Sequence, residues 1–332
     1  MSSIFELPAD QYQRYRIAAD IVNALRGKHK ALKILEVGGY PPRLHEFLPD
    51  DDVLITDLVS MSEKLVGHGT YTEADALSLQ FDDQSFDAVV ALDVLEHIPP
   101  EKRENFVSEI SRVASVFVVI ASPFDEGKGI ISREELLLFE FIREAHGYEH
   151  KYFDEHLRYG LPSTENIINY FKRIGWNLFT LPNGYFPRWF STILLEYTAE
   201  FNTTLKEILP KLREYYNYNF YKLDNREPAY RHAIVAARNP FTDVERHGLH
   251  RITFYAPGED WPPMEYAATL IEMTRIMAQT ALENRIKGLD HDLAAREEEI
   301  RHLKRYIREL EDFVTKVKRT LPYRIYSKLF KK

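Results

Sequence analysis

The five residues Asp93-Val94-Leu95-Glu96-His97 place two carboxylates and an imidazole directly after the apolar run 86–92. Histidine titrates near neutral pH, so His97 is the foremost candidate for a general base acting on a hydroxyl nucleophile. Asp93 stands nearest the end of the run, and His150 and His156 are reserve candidates for the same task. On the plainer reading, Glu96 and His97 only cap the loop that follows.

Three signals upstream concern a ligand. The stretch "KILEVGGYPPRL" ends an apolar run in Gly38-Gly39, as a strand does when it enters a nucleotide-binding turn, but Pro41 and Pro42 stand where a further glycine is usual. Asp57 closes the run "DVLITD" at the spacing where an acid receives a ribose diol. Asp75 sits in a turn before the apolar pair Ala76-Leu77, a place where a carboxylate accepts from an exocyclic adenine amine. Singly, the glycines read as a tight turn and the two acids as turn or cap residues.

The elements that must position these groups follow from periodicity. Apolar runs at 34–37, 53–56, 86–92 and 116–121 read as buried strands. Between the last two, Phe106, Val107, Ile110 and Val113 share one helix face after Pro99-Pro100. Such alternation predicts a doubly wound α/β domain with a parallel sheet, whose ligands lie beyond the carboxyl ends of the strands. Helices are expected at 133–144, 165–174, 189–200 and 204–215. Closing strands are expected at 176–181 and 232–237, and loop from about 240 to 263.

The order "ILEVGG", "LITDLV", "ADALSLQFDDQSFDAVVALDVLEHI" resembles the class I S-adenosylmethionine-dependent methyltransferases of the type 11 group. The resemblance covers Lys33 to about Ser122. It implies a Rossmann-like, mostly parallel seven-stranded sheet with S-adenosylmethionine as cofactor. The implied cofactor contacts are Glu36 to the methionine part, Gly38 and Gly39 by backbone approach, Asp57 and Leu58 to the ribose side, Asp75 and Ala76 to adenine, and Leu92 and Asp93 near the sulfur. Catalytic roles fall to His97, Asp93 and His156. Tyr40-Pro41-Pro42 departs from the family pattern, although this methyl donor has no pyrophosphate to be cradled. The acid-x-x-Glu-His spacing also resembles the divalent-metal site of some quinone-pathway O-methyltransferases, with oxygen and imidazole donors suiting magnesium or manganese.

The segments "HKYFDEHLRYGLPSTENI", "LPNGYFPRWFSTILLEY" and "DNREPAYRH" resemble the helical cap, about 123–230, of methyltransferases found near cell-surface polysaccharide genes. Tyr152, His156, Tyr159, Tyr185, Trp189 and Arg226 are the ring and guanidinium groups that could line a sugar pocket, though each is as readily a packing residue. The domain is thus expected to span 1–240, with a linker at 241–263.

From Met264 the chain reads as one long helix. Ile286, Leu293, Ile300, Ile307 and Val314 form one heptad register and Leu289, Leu303, Leu310 and Val317 the other, with Arg296 interrupting. Mostly β-branched residues in the first and leucine in the second favour a parallel two-stranded coiled coil over 264–317, and hence a homodimer. A helix folded back on the globular body is the alternative. The tail 318–332 is basic and amphipathic, with no acid after Asp312, and suits an anionic membrane surface.

Bulk properties exclude several classes. The 332 residues carry a net charge of −8, which argues against nucleic-acid binding by the whole protein. With no cysteine there is no disulfide, thiolate catalysis or cysteine-bound zinc. No secretory signal or spanning segment is apparent, so a cytoplasmic protein, peripheral on the membrane through its tail, is expected. The function expected is O-methylation of a sugar hydroxyl on a surface polysaccharide or its lipid-linked precursor. A quinone-like lipophilic acceptor and a non-catalytic scaffold with a degenerate cofactor fold are the alternatives.

Overall fold

Residues of a buried strand project alternately to the two faces of a sheet, so continuous apolar runs require cover on both sides. The computed structural model describes residues 3–27, 31–61, 69–125, 130–147, 151–253 and 264–319, with side chains described except at 130–134, 145–146, 151–152, 204, 264–282 and 284. Seven strands form the sheet: β1 (Lys33–Val37), β2 (Asp52–Asp57), β3 (Thr70–Glu73), β4 (Phe86–Leu92), β5 (Ala114–Ser122), β6 (Asn177–Tyr185) and β7 (Ala229–Ala237). Their order is β3-β2-β1-β4-β5-β7-β6, with β7 alone antiparallel to its neighbours.

The flanking helices are α1 (Ala9–Leu25), α2 (Leu44–Phe47), α3 (Arg103–Val113), α4 (Ile130–His146), α5 (Lys151–Tyr159), α6 (Thr164–Arg173), α7 (Phe186–Glu200), α8 (Thr203–Lys206), α9 (Leu209–Phe220), α10 (Asp243–Ile252) and α11 (Met264–Arg319). Ile34, Val53, Val90, Val119 and Val235 face one core with α1 and α10; Leu35, Val89, Val118, Ile120 and Ile234 face the other with α3 and α6. The expected face of α3 is buried, Phe106 completely, so Phe106→Ala would cost about 3–5 kcal/mol. A third cluster joins Leu138 and Ile142 of α4 to Trp189 and Ile193 of α7 and to Tyr230, forming the base of the cap.

Several elements differ from the reading of the sequence. β3 was not expected, because "TYTE" has no aliphatic residue and is largely exposed at the sheet edge. α1 and α5 were also unanticipated. The expected helix 204–215 divides into α8 and α9, with Pro210 in the first turn of α9, where its missing N–H does no harm. The segment expected to be loop from 240 contains α10. Its start is a capping box, Thr242 Oγ accepting from Glu245 N–H while Glu245 accepts from Thr242 N–H. Leu249 is fully buried, and a Cβ added to Gly248 would lie 3.1 Å from that of Ala24, so α10 packs directly on α1.

The chain divides into units Met1–Thr269 and Leu270–Lys332. α11 runs through 56 residues, and its heptad positions Ile286, Leu289, Leu293, Ile300, Leu303, Ile307, Leu310 and Val314 are exposed. Residues 320–332 of the basic tail lie outside the described residues. No helix among those described is long and apolar enough to cross a membrane.

Candidate active site

The carboxyl ends of β1, β2, β4 and β5 bring the sequence-derived candidates to one edge of the sheet. After β1, Gly38 adopts φ +74° and its N–H, with that of Gly39, donates to Thr56 O. A Cβ on Gly38 would meet Val94 Cγ2 at 2.5 Å, and one on Gly39 would meet Glu36 Cδ and Ile55 Cγ2 at 2.6 Å. The glycines are therefore required by the protein's own packing, before any ligand is considered. Asp57 fastens the same loop: it accepts from Tyr40 N–H (3.1 Å) and Val59 N–H (3.1 Å). Leu58 beside it is 70% exposed, an apolar surface that a flat base or ribose would cover. Asp75 is exposed and accepts from Leu77 N–H in its own turn.

Glu36 is buried at the end of β1, and burial pushes its carboxyl up to about 8, against the pull of Arg14. Its Oε2 has no hydrogen-bond partner, and neither has the buried Nε of Arg14. Arg14 and Tyr15 come from α1, and Tyr15 Oη donates to Pro41 O across the loop. A carboxyl oxygen and a guanidinium nitrogen, each buried without a hydrogen bond, suit a zwitterion. Sequence spacing gave no sign of Arg14, whose helix went unrecognised.

Asp93 follows β4 with φ +51°, a conformation rare outside glycine. Arg231 from β7 donates through Nε to Oδ1 and Nη2 to Oδ2, and Arg14 Nη1 donates to Oδ2 (3.1 Å). Burial opposes ionisation of Asp93, but Arg231 and Arg14 outweigh it and hold the carboxyl below the usual range. Arg231, fully buried, also donates to Asp10 Oδ1 and Asn183 Oδ1. Asp93 is thus a bound anion and a poor proton acceptor.

Glu96, His97 and His156 converge beside it. Glu96 is buried and raised by that burial and by Asp93; Ser122 Oγ donates to its Oε2 (2.6 Å). His97 Nδ1 lies 2.9 Å from Glu155 Oε2, and the His97 and His156 rings are 4.8 Å apart. His156 Nδ1 lies 3.2 Å from Glu135 Oε1. Burial disfavours the His156 cation, but Glu135 outweighs it and raises the imidazole. Leu92 lies buried at the end of β4, under this cluster in the chain. His150 and the side chain of Tyr152 lie outside the described residues.

Residues 54–116 match the family model described as "Methyltransferase domain", which takes in β2, β3, β4 and α3 of this sheet. The match marks this stretch, 63 of the chain's 332 residues, as similar to a methyltransferase domain. Magnesium protoporphyrin IX methyltransferase from Synechocystis PCC 6803 is 13% identical to this chain, with 69% of this chain and 84% of that one covered and a TM-score of 0.42. The YcgJ protein from Bacillus subtilis is 11% identical, with coverages of 68% and 100% and a TM-score of 0.41. Phosphoethanolamine N-methyltransferase 2 from Haemonchus contortus is 19% identical, with coverages of 67% and 52% and a TM-score of 0.39. Likenesses of this degree carry no argument about activity or acceptor. No curated protein matches it.

The cofactor fits the residues present. Glu36 and Arg14 would hold the amino-acid end of S-adenosylmethionine and Asp57 its ribose, and the bound cofactor would supply a methyl group. Of the expected acceptor-lining rings, Trp189 is not available: it stacks on Tyr230 at 3.5 Å and donates Nε1–H to Asp10. Tyr185 lies under the guanidinium of Arg226 at 4.0 Å, and Tyr159 lends its carbonyl to Arg103.

Proposed function

We propose that the protein is an S-adenosylmethionine-dependent methyltransferase that acts on a sugar hydroxyl of a cell-surface polysaccharide or its lipid-linked precursor. The observation that carries this reading is the Glu96–His97–His156 cluster at the end of β4, where an acceptor oxygen would meet the methyl carbon. S-adenosylmethionine, when bound, would supply the methyl group to that oxygen, and His97 would take the hydroxyl proton. His156 lies beside His97 as its partner, while Asp93 acts as a positioning residue through Arg14 and Arg231. Glu36, Gly38, Gly39, Asp57, Leu58, Asp75, Ala76 and Leu92 form the cofactor side. Support for a sugar comes from the Tyr185–Arg226 pair of the cap, a ring and a cation suited to a polyhydroxylated ligand.

The deciding experiment supplies the purified chain with S-adenosylmethionine labelled in the methyl group and screens glycans, lipid-linked sugars and quinols. Label in an alkali-stable sugar ether supports the proposal; label only in a quinol ether establishes the lipophilic acceptor instead, a reading the carboxylate–imidazole cluster also favours. Failure to bind S-adenosylmethionine in calorimetry would leave only a scaffold. His97→Ala should abolish turnover while sparing cofactor affinity.

The exposed heptad of α11 supports a parallel coiled-coil homodimer, and the basic residues from Lys316 onward support attachment to the cytoplasmic face of an anionic membrane. Co-sedimentation with anionic liposomes, with and without residues after Val317, tests the latter. Equal binding by both forms removes it.

A further inference from the structure

Glu96, His97 and His156 each offer a donor atom, and these atoms lie within 4.8 Å of one another. Two belong to the tight 3-10 turn Leu95–His97 after β4 and the third to α5 of the cap, so the set joins sheet and cap. Each is braced from behind. Ser122 Oγ holds Glu96, Glu155 stands 2.9 Å from His97 Nδ1, and Glu135 stands 3.2 Å from His156 Nδ1. Glu135 is itself fixed by Tyr230 Oη, which donates to the same oxygen at 2.7 Å. A carboxylate behind each imidazole sets the ring's orientation and raises its basicity, the arrangement metal-bound histidines have. An ion pair with Glu135 accounts for Nδ1 of His156 but not for Nε2, which is buried without a hydrogen bond. Such a nitrogen is unfavourable unless a ligand occupies it.

We infer that Glu96, His97 and His156 form the binding site for one divalent first-row transition-metal ion. Two imidazoles and one carboxylate suit zinc, cobalt, manganese or iron(II), whereas magnesium prefers oxygen donors throughout. Asp93, which the sequence spacing offers as a second oxygen donor, is instead committed to Arg14 and Arg231. Donors on one zinc ion lie roughly 3.4 Å apart, so side-chain movement of about 1 Å closes the set. Three protein ligands leave a coordination position open, as in catalytic sites. The inference rests on the methyl-transfer reading and refines it. On one point it replaces that reading: with the ion bound, His97 would be a ligand and not the base, the ion would supply Lewis acidity to the acceptor oxygen, and the hydroxyl proton would leave to solvent.

The test titrates the chelator-stripped full chain with cobalt(II) alone, following its visible absorption, and repeats the titration with magnesium by calorimetry. One cobalt per chain with an imidazole-type spectrum, and magnesium at least tenfold weaker, are expected. Glu96→Gln, His97→Asn and His156→Asn should each weaken cobalt by more than tenfold. Because His156 and Glu96 are interior, Glu155→Gln and Glu135→Gln provide gentler variants, each expected to weaken it 10–100-fold. Cobalt binding well below one equivalent, unchanged affinity in all five variants, or magnesium binding as tightly as cobalt overturns the inference. Calorimetry of the stripped chain with S-adenosylmethionine separates the two readings: cofactor binding without cobalt binding removes the metal and leaves the methyltransferase reading intact, and the converse does the reverse.

Discussion

Arg231, in the middle of the antiparallel strand β7, grips both carboxylate oxygens of Asp93 at the end of β4. The two residues are 138 positions apart, and Arg231 has no exposure to solvent. Removing one partner of a buried pair strands the other, so Arg231→Ala is expected to lower stability by about 3–5 kcal/mol in urea denaturation. Arg231→Lys, a cation without the planar fork, should recover only part of this. Stability within 1 kcal/mol of the wild type for the alanine variant would show that Asp93 is satisfied without it.

Cofactor affinity is expected to rise with pH. The carboxyl of Glu36, at about 8 in the ligand-free protein, is protonated at neutral pH, whereas a cationic ammonium group beside it favours the carboxylate. Binding then releases a proton, and affinity should increase by up to tenfold per unit from pH 6 to about 8, then level off. Calorimetry in buffers of different ionisation enthalpy counts that proton. Glu36→Gln should flatten the profile, and a profile unchanged in that variant removes Glu36 from the site.

The same group has a folding consequence of defined sign. Its pKa is raised on folding, so its favourable contribution is complete below the unfolded value near 4.5 and is lost as pH rises to about 8. The stability of Glu36→Gln relative to wild type should therefore improve across that interval and stay constant above it. Denaturation series at pH 5 and 8 would reveal this; an equal difference at both ends contradicts it.

Gly38→Ala should destabilise the fold by about 1–3 kcal/mol, because φ +74° and the approach to Val94 both oppose a Cβ. Adding Val94→Ala relieves the contact but not the backbone conformation, so the double variant should recover part of the loss. Full additivity of the two changes would mean that they do not touch.

Substituting aspartate at Leu303 and Ile307, on the exposed seam of α11, should abolish self-association in sedimentation equilibrium. Cofactor affinity should persist, since these positions lie in the second unit. An unaltered molecular weight would mean that this seam is not the dimer contact.

What was legible in the sequence depended on how locally each feature is encoded. β1, β2, β4 and β5 stand out because unbroken apolar runs mark strands covered on both faces. Gly38, Asp57 and Asp75 share one sheet edge because fixed spacings in a doubly wound sheet deliver them there. Asp93 reads as a catalytic residue in the sequence because its neighbours in the chain are Glu96 and His97. Its actual partners, Arg14 and Arg231, lie 79 and 138 residues away, and no spacing rule reaches them. α10 was a different kind of omission, since Thr242-x-x-Glu245 is a helix-start signature present in the text itself.

The reach of Arg231 to Asp10, 221 positions back, also bears on biosynthesis. While the chain grows from the ribosome, β1 to β5 can collapse early, but Asp93 faces Arg14 without its main counter-ion, Arg231, until β7 emerges. A nascent or prematurely terminated chain therefore holds the cofactor-side residues without the clasp that orders them. The arrangement around Asp93 is thus among the last parts of this unit to form.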